Sequence, residues 1–199
     1  MVEFLYLFFT DFPPSLIRAF VLEAVLFFYA VRLKDIFSLE VLGVSIFLSF
    51  LLFGFKIFSI GYFLSVAGVF YIYLFFKYFK PTFLNSVVLS FYLFVVMFIV
   101  SHYFFGYFNF YQFFSPIVSL LFSIFYPISI ILHLLGIGGI FDNILLDYFS
   151  LGKDFVILKV PLFIFIFFLI LSFFAYFNKK AFWGLNLFSI GVILYLVGG

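Results

Sequence analysis

Apolar runs long enough to cross a lipid bilayer follow one another along this chain, separated by short clusters of charge, proline and glycine. A membrane-spanning helix needs about 20 mainly apolar residues, with about 17–25 tolerated. Hydrophobic residues make up 68% of the 199 positions and charged residues 9%, against about 45–50% and about 25% in soluble domains. A small soluble domain leaves about a third of its chain's surface in water, so it cannot hide this much apolar area. The same excess excludes intrinsic disorder, and the absence of cysteine excludes a disulfide scaffold and Cys-ligated metal. What remains is an all-α, polytopic integral membrane helix bundle of one domain, residues 1–199, with no soluble domain. Met1-Val2-Glu3 lacks the basic start of a cleaved signal. A net charge of +2 does not by itself argue for a nucleic-acid partner. The 42 phenylalanines are better explained by a low-GC genome than by a specialised lining.

Punctuation divides the chain into spans. Met1 to Phe12 is too short to cross and ends in Asp11-Phe12-Pro13-Pro14. The first span runs from Ser15, placed as its cap, to Arg32. The next three cover Ser38 to Phe55, Ile57 to Phe76 and Thr82 to Phe105. From Phe113 to Gly139, Pro116, Pro127 and Gly136-Ile137-Gly138-Gly139 interrupt an apolar stretch, which predicts a broken helix or a re-entrant pair. Phe141 to Leu151, with Asp142, Asp147 and Tyr148, is expected in the interface. Two final spans cover Phe155 to Phe177 and Ala181 to Val197, for six or seven crossings. Arg32, Lys34, Lys77 and Lys80 share one side under either count, which the positive-inside rule makes cytoplasmic.

Ionisable residues at membrane depth are costly and therefore candidates for function. Arg18 lies one turn into the first span and Glu23 nearer its middle. Five residues separate them, about 140° round a helix, so they do not pair along it. Snorkelling to the interface is the bland account of Arg18, and simple protonation that of Glu23. His102 and His133 are the only histidines and lack companions for a zinc or haem site. They read as solitary interfacial or core residues. No catalytic dyad, Ser-His-Asp order, P-loop or dinucleotide fingerprint is present, so the chain does not read as an enzyme and no cofactor is implied. Small residues recur at helical spacing: Ser45 and Ser49; Gly61, Ser65 and Gly68; Ser115, Ser119 and Ser123. Such stripes allow close helix packing in lipid. With Asn109 and Gln112, the last of them sets a polar face beside the expected broken backbone, as in water-lined membrane paths.

Three stretches, in order, resemble the membrane domain of the ComEC-type competence proteins. Phe12-Pro13-Pro14-Ser15-Leu16-Ile17-Arg18-Ala19 is similar to the family's proline-Ser-x-x-Arg-Ala helix opening. Gly61-Tyr62-Phe63-Leu64-Ser65 resembles its Gly-Phe-x-Leu-Ser stretch. Phe110-Tyr111-Gln112-Phe113-Phe114-Ser115-Pro116, followed by apolar residues and Pro127, resembles its Phe-His-Gln-Phe-Ser segment, with Tyr111 where the family usually has His. The asparagine expected between Ser115 and Pro127 is absent. The family's earlier Ser-Gly-x-His region and its soluble oligonucleotide-binding-like and metallo-β-lactamase-like domains have no counterpart. The resemblance covers about residues 10–135 and marks the chain as a partial member.

That resemblance implies passage of single-stranded DNA across the cytoplasmic (inner) membrane during natural transformation, by a multi-pass channel component. Arg18 is then the phosphate candidate, and Tyr111, Gln112 and the Ser115, Ser119, Ser123 stripe are candidates for the path, with Glu23 and Ser65 as further pore-lining candidates. The implied partners are single-stranded DNA, membrane lipid, other competence proteins, and a second copy or a companion membrane chain. Competing readings are a small-solute or ion transporter or permease subunit, with Glu23 as its proton or cation site, and a non-catalytic scaffold subunit of a membrane complex.

Overall fold

A computed structural model describes residues 14–32, 38–134, 136, 146 and 155–198. Among them the backbone forms seven α-helices: α1 (Pro14–Val31), α2 (Leu39–Phe53), α3 (Ile60–Tyr78), α4 (Phe83–Phe104), α5 (Ser115–Leu134), α6 (Leu162–Phe177) and α7 (Lys179–Gly198). The all-α expectation holds. Phe, Val, Ile and Tyr are only moderate helix formers, but lipid offers backbone groups no hydrogen-bond partner, so a spanning segment must satisfy them internally. Among the described residues, four segments are long and apolar enough to cross a bilayer: α3, α4, Phe110–Leu134 and α7. Helices α2 and α6 have 15 and 16 residues. At 1.5 Å per residue they reach about 23–24 Å, short of a hydrocarbon core about 30 Å thick.

Packing separates the chain into two compact units, residues 1–81 and 82–199, at a boundary that no linker composition marks. In the first, α1 turns Ile17, Val21, Leu22, Val25 and Tyr29 onto one face, where they join Val41, Leu42 and Tyr73 in a buried core. The Tyr29 hydroxyl donates to Glu40 Oε1 at 2.7 Å, tying α1 to the first turn of α2. Ser38 caps α2, its hydroxyl accepting from Val41 N, and Ser59 caps α3 by accepting from Tyr62 N. Ser45 and Ser49 are buried and donate to the carbonyls of Leu42 and Ser45, at 2.8 and 2.7 Å. They therefore serve as small packing residues in α2, with their polarity satisfied locally. Gly54, at φ 57°, ends that helix.

In the second unit α4 is the hub, packing against α5, α6 and α7, while α6 and α7 form an antiparallel hairpin. Thr82 caps α4 by accepting from Asn85 N. Phe98, Phe108 and Ile193 form one core cluster. Tyr103 stacks on Phe165 at 3.9 Å and Tyr92 on Phe182 at 5.5 Å between ring centroids. After α4 the chain forms β1 (Tyr107–Phe108), which pairs antiparallel with β2 (Val156–Ile157). Leu158 N extends this ladder by donating to Gly106 O at 2.8 Å. Gly106 sits at φ 66°, and the Lys159 side chain lies over it; a Cβ there would meet Lys159 Cγ at 2.6 Å.

Several expected boundaries are corrected. Ser15 is itself helical within α1 (Pro14–Val31), rather than preceding the helix as its cap. Residues 155–161 are not the start of a span: Val156–Ile157 is strand, and α6 begins only after Pro161. The expected break is absent from residues 115–134. Pro116 falls in the first turn of α5, where the ring is tolerated. Pro127 lies within the helix, which continues to Leu134 before Gly136 at φ 78°. The remainder of the supposed re-entrant segment, 135 and 137–139, and all of Phe141–Leu151 but Leu146 fall outside the described residues, as does Lys34.

Large apolar side chains cover the outer faces: Phe27 is 73% exposed, Phe55 84% and Phe83 89%. Helix α5 buries only Pro116. Water would not tolerate apolar area on this scale, whereas lipid does.

Candidate functional site

One cavity of about 630 Å³ lies in the second unit, between α4, the Tyr107 strand and the start of α5. Its size falls in the range of small-molecule pockets, about 300–1,000 Å³. The α4 wall recurs at helical spacing, with Ser90, Phe94, Met97, Phe98, Ser101 and His102 on one face. Asn109 opens the facing wall: its side chain accepts from Tyr111 N at 2.8 Å and starts the 3-10 turn Phe110–Phe114, which leads directly into α5. That turn and the first helical turns place Gln112, Ser115, Pro116 and Ser119 against the space. Gln112 is steadied by donating from Nε2 to Tyr107 O at 3.2 Å.

His102 is the buried polar residue of this wall, 4% exposed. Its ring stacks on Phe98 with centroids 3.8 Å apart and planes 16° apart. Nδ1 lies 2.9 Å from Phe98 O, and a carbonyl only accepts, so Nδ1 carries the hydrogen. In the neutral ring, Nε2 is therefore an acceptor; it is buried and makes no hydrogen bond. Ser101 donates to the same carbonyl at 3.2 Å. Among the described residues, the lining contains no Lys, Arg, Asp or Glu. The cavity thus offers hydroxyls, an amide and aromatic side chains without a formal charge.

The structure gathers three of the sequence-predicted residues here: Gln112, Ser115 and Ser119. Ser123 is exposed and donates to Ser119 O at 2.8 Å, away from the cavity. Each four-residue step advances about 40° round a helix, so by Ser123 the stripe has rotated about 80° from Ser115. Tyr111 is exposed on the 3-10 turn and does not line the space. The polar face accordingly stands between intact helices, not beside broken backbone.

Arg18, Glu23 and Ser65 belong to the first unit. Glu23 is exposed on α1 and Ser65 half-buried on α3. Arg18 is half-buried, within electrostatic reach of Tyr62 and Tyr73 of α3. Its Nε and the Tyr62 hydroxyl are both buried without a hydrogen bond.

Sequence reasoning missed His102, Ser90 and Ser101. A signal was available: Ser90, Phe94, Met97 and Ser101 repeat at four- and three-residue steps, marking one face of α4 that differs from its lipid-facing remainder.

A family model described as "Competence protein" matches residues 1–198, well beyond the 10–135 that the sequence motifs cover. No curated protein and no solved structure matches the chain.

Proposed function

The chain belongs to the competence protein family, and from that premise we propose that it is a component of the channel carrying single-stranded DNA into the cytoplasm during natural transformation. The observation that carries this reading is the uncharged polar cavity between α4 and α5, set among helices whose other faces are apolar. A conduit must hold its cargo weakly enough to release it. Hydroxyls, an amide and aromatic faces suit that need, since stacking contributes about 1–3 kcal/mol per base and tolerates any sequence. Phosphates need a cationic contact elsewhere, and Arg18 with its neighbouring tyrosines is the candidate for it.

The chain sits in the cytoplasmic membrane as a multi-pass protein, with Arg32, Lys77 and Lys80 facing the cytoplasm under the positive-inside rule. A path wide enough for a strand needs more wall than one such chain supplies, so a second copy or a companion membrane chain completes it alongside other competence proteins. The test is uptake of fluorescent single-stranded DNA and transformation frequency in a strain deleted for this chain and complemented with it. Loss and restoration of both support the channel. Normal uptake without the chain would overturn it and favour a solute transporter, to which a cavity of about 630 Å³ is also suited.

A further inference from the structure

We infer that the groove between α4 and the start of α5 is a lipid site, which holds one acyl chain of a glycerophospholipid along α4 and meets its phosphate at Lys159. The site goes beyond the channel reading and does not depend on it. Its length comes from α4: Ser90, Leu93, Phe94, Met97, Ser101 and Phe105 line it, and that stretch of helix rises about 22 Å. A volume of about 630 Å³ over this length leaves a mean cross-section of about 29 Å². A helix with its side chains is about 10–12 Å across and needs about 80 Å² or more. A helix from a second copy or another chain therefore does not fit, whereas a single extended hydrocarbon chain does.

Depth points the same way. Helix α4 has 22 residues, so its midpoint falls at Leu93 and Phe94, and Phe105 lies about 17 Å beyond it. One leaflet of hydrocarbon is about 15 Å deep, half of a core about 30 Å thick. The groove thus runs through one leaflet, from the midplane to the C-terminal end of α4, with Ser90 one turn past the midplane. Leu93, Phe94 and Met97 are half-buried and Phe105 and Ser119 exposed, so the wall is open along its length.

Among the described residues no charge lines the groove, so an anion inside it would lose its water with nothing to replace it. The shallow end differs. Lys159 is exposed, and its stem lies over Gly106, between the lining residues Phe105 and Tyr107. There the ammonium can meet a lipid phosphate as a point charge. The Gln112 amide and the Ser115 hydroxyl stand at the same end, where the glycerol and ester oxygens of that lipid would lie. An apolar wall below and a cation at the rim match the two ends of one phospholipid. Where this wall also belongs to a DNA path, the lipid is what fills it while no strand is present.

The test places the full chain in nanodiscs of phosphatidylcholine, a small fraction of it carrying a diazirine in the distal half of one acyl chain. After irradiation, lipid adducts are mapped by peptide mass spectrometry. The expected result is labelling of Leu93 and Met97 at least about fivefold above Leu187 and Leu194, exposed apolar residues of α7. Ser119→Phe, at an exposed position of α5, fills the groove and should remove that excess while α7 labelling stays the same. Ser115→Phe, also at an exposed position, serves if the first variant fails to fold. Lys159→Ala should lower the excess and Lys159→Arg keep it. The chain has no cysteine, so the thiol of Ser119→Cys reports its own surroundings and should resist a charged methanethiosulfonate. Equal labelling of α4 and α7, an excess that survives the phenylalanine variants or Lys159→Ala, or rapid thiol modification would overturn the lipid site, the last in favour of water. Groove labelling combined with normal uptake in the deletion strain would overturn the channel reading alone. Lost uptake without groove labelling would overturn the lipid site alone.

Discussion

Replacing Gly106 by alanine sets two separable costs against each other at the turn that carries the cavity's rim. The first is backbone: at φ 66° an L side chain crowds its own carbonyl, at about 1–2 kcal/mol. The second is contact: the new Cβ would stand 2.6 Å from Lys159 Cγ and 3.3 Å from Cε. Cγ lies near the root of the side chain, so Lys159 must leave its rotamer, at about 0.5–1.5 kcal/mol. The sum is a loss of about 1.5–3.5 kcal/mol. Lys159→Ala removes the clashing atoms but not the strain, so the double variant should recover only the second part. Gly184, inside α7 with nothing within 4 Å of its would-be Cβ, supplies the opposite sign, a gain of about 0.5–1 kcal/mol on becoming alanine. The assay is reversible unfolding in mixed micelles followed by helical circular dichroism, with all four proteins in one detergent. If Gly106→Ala unfolds with the wild type, or if Lys159→Ala restores it fully, the strained turn does not exist as described.

Arg18→Lys should keep insertion and abundance but lower transformation, because an ammonium does not reproduce the guanidinium fork, and Arg18→Ala should abolish it. Normal transformation by the alanine variant at normal protein level would remove Arg18 from the mechanism. Tyr29→Phe deletes the 2.7 Å bond to Glu40 and should lower the unfolding midpoint in the same assay; no loss would mean that the link between α1 and α2 is idle. Cysteines placed at Arg32 and Lys80 should resist impermeant thiol reagents applied to intact cells, and labelling of either from outside would reverse the orientation.

Membership of a membrane helix bundle is legible from composition and run length, because lipid leaves a continuous apolar segment no alternative to the helix. Caps were not legible: Ser15, the one residue expected to cap, is itself helical, whereas Ser38, Ser59 and Thr82, which do cap their helices, were not singled out by the sequence. Prolines misled at α5, since Pro116 falls where the ring is harmless and Pro127 is carried within the helix. The strand pair joining Tyr107–Phe108 to Val156–Ile157 could not be read at all: two-residue strands have no periodicity, and their pairing is long-range. For the site, spacing alone was enough to single out Gln112, Ser115 and Ser119, because residues three and four apart share a helix face whatever that face meets. Only tertiary structure decided what it meets. Packing of α4 against α5 put His102 and that face around one cavity, and the same packing left Ser123 and Tyr111 outside. A sequence specifies which side chains share a face of one helix, but the register between two helices depends on how both surfaces fit together, and that exists only once they have packed.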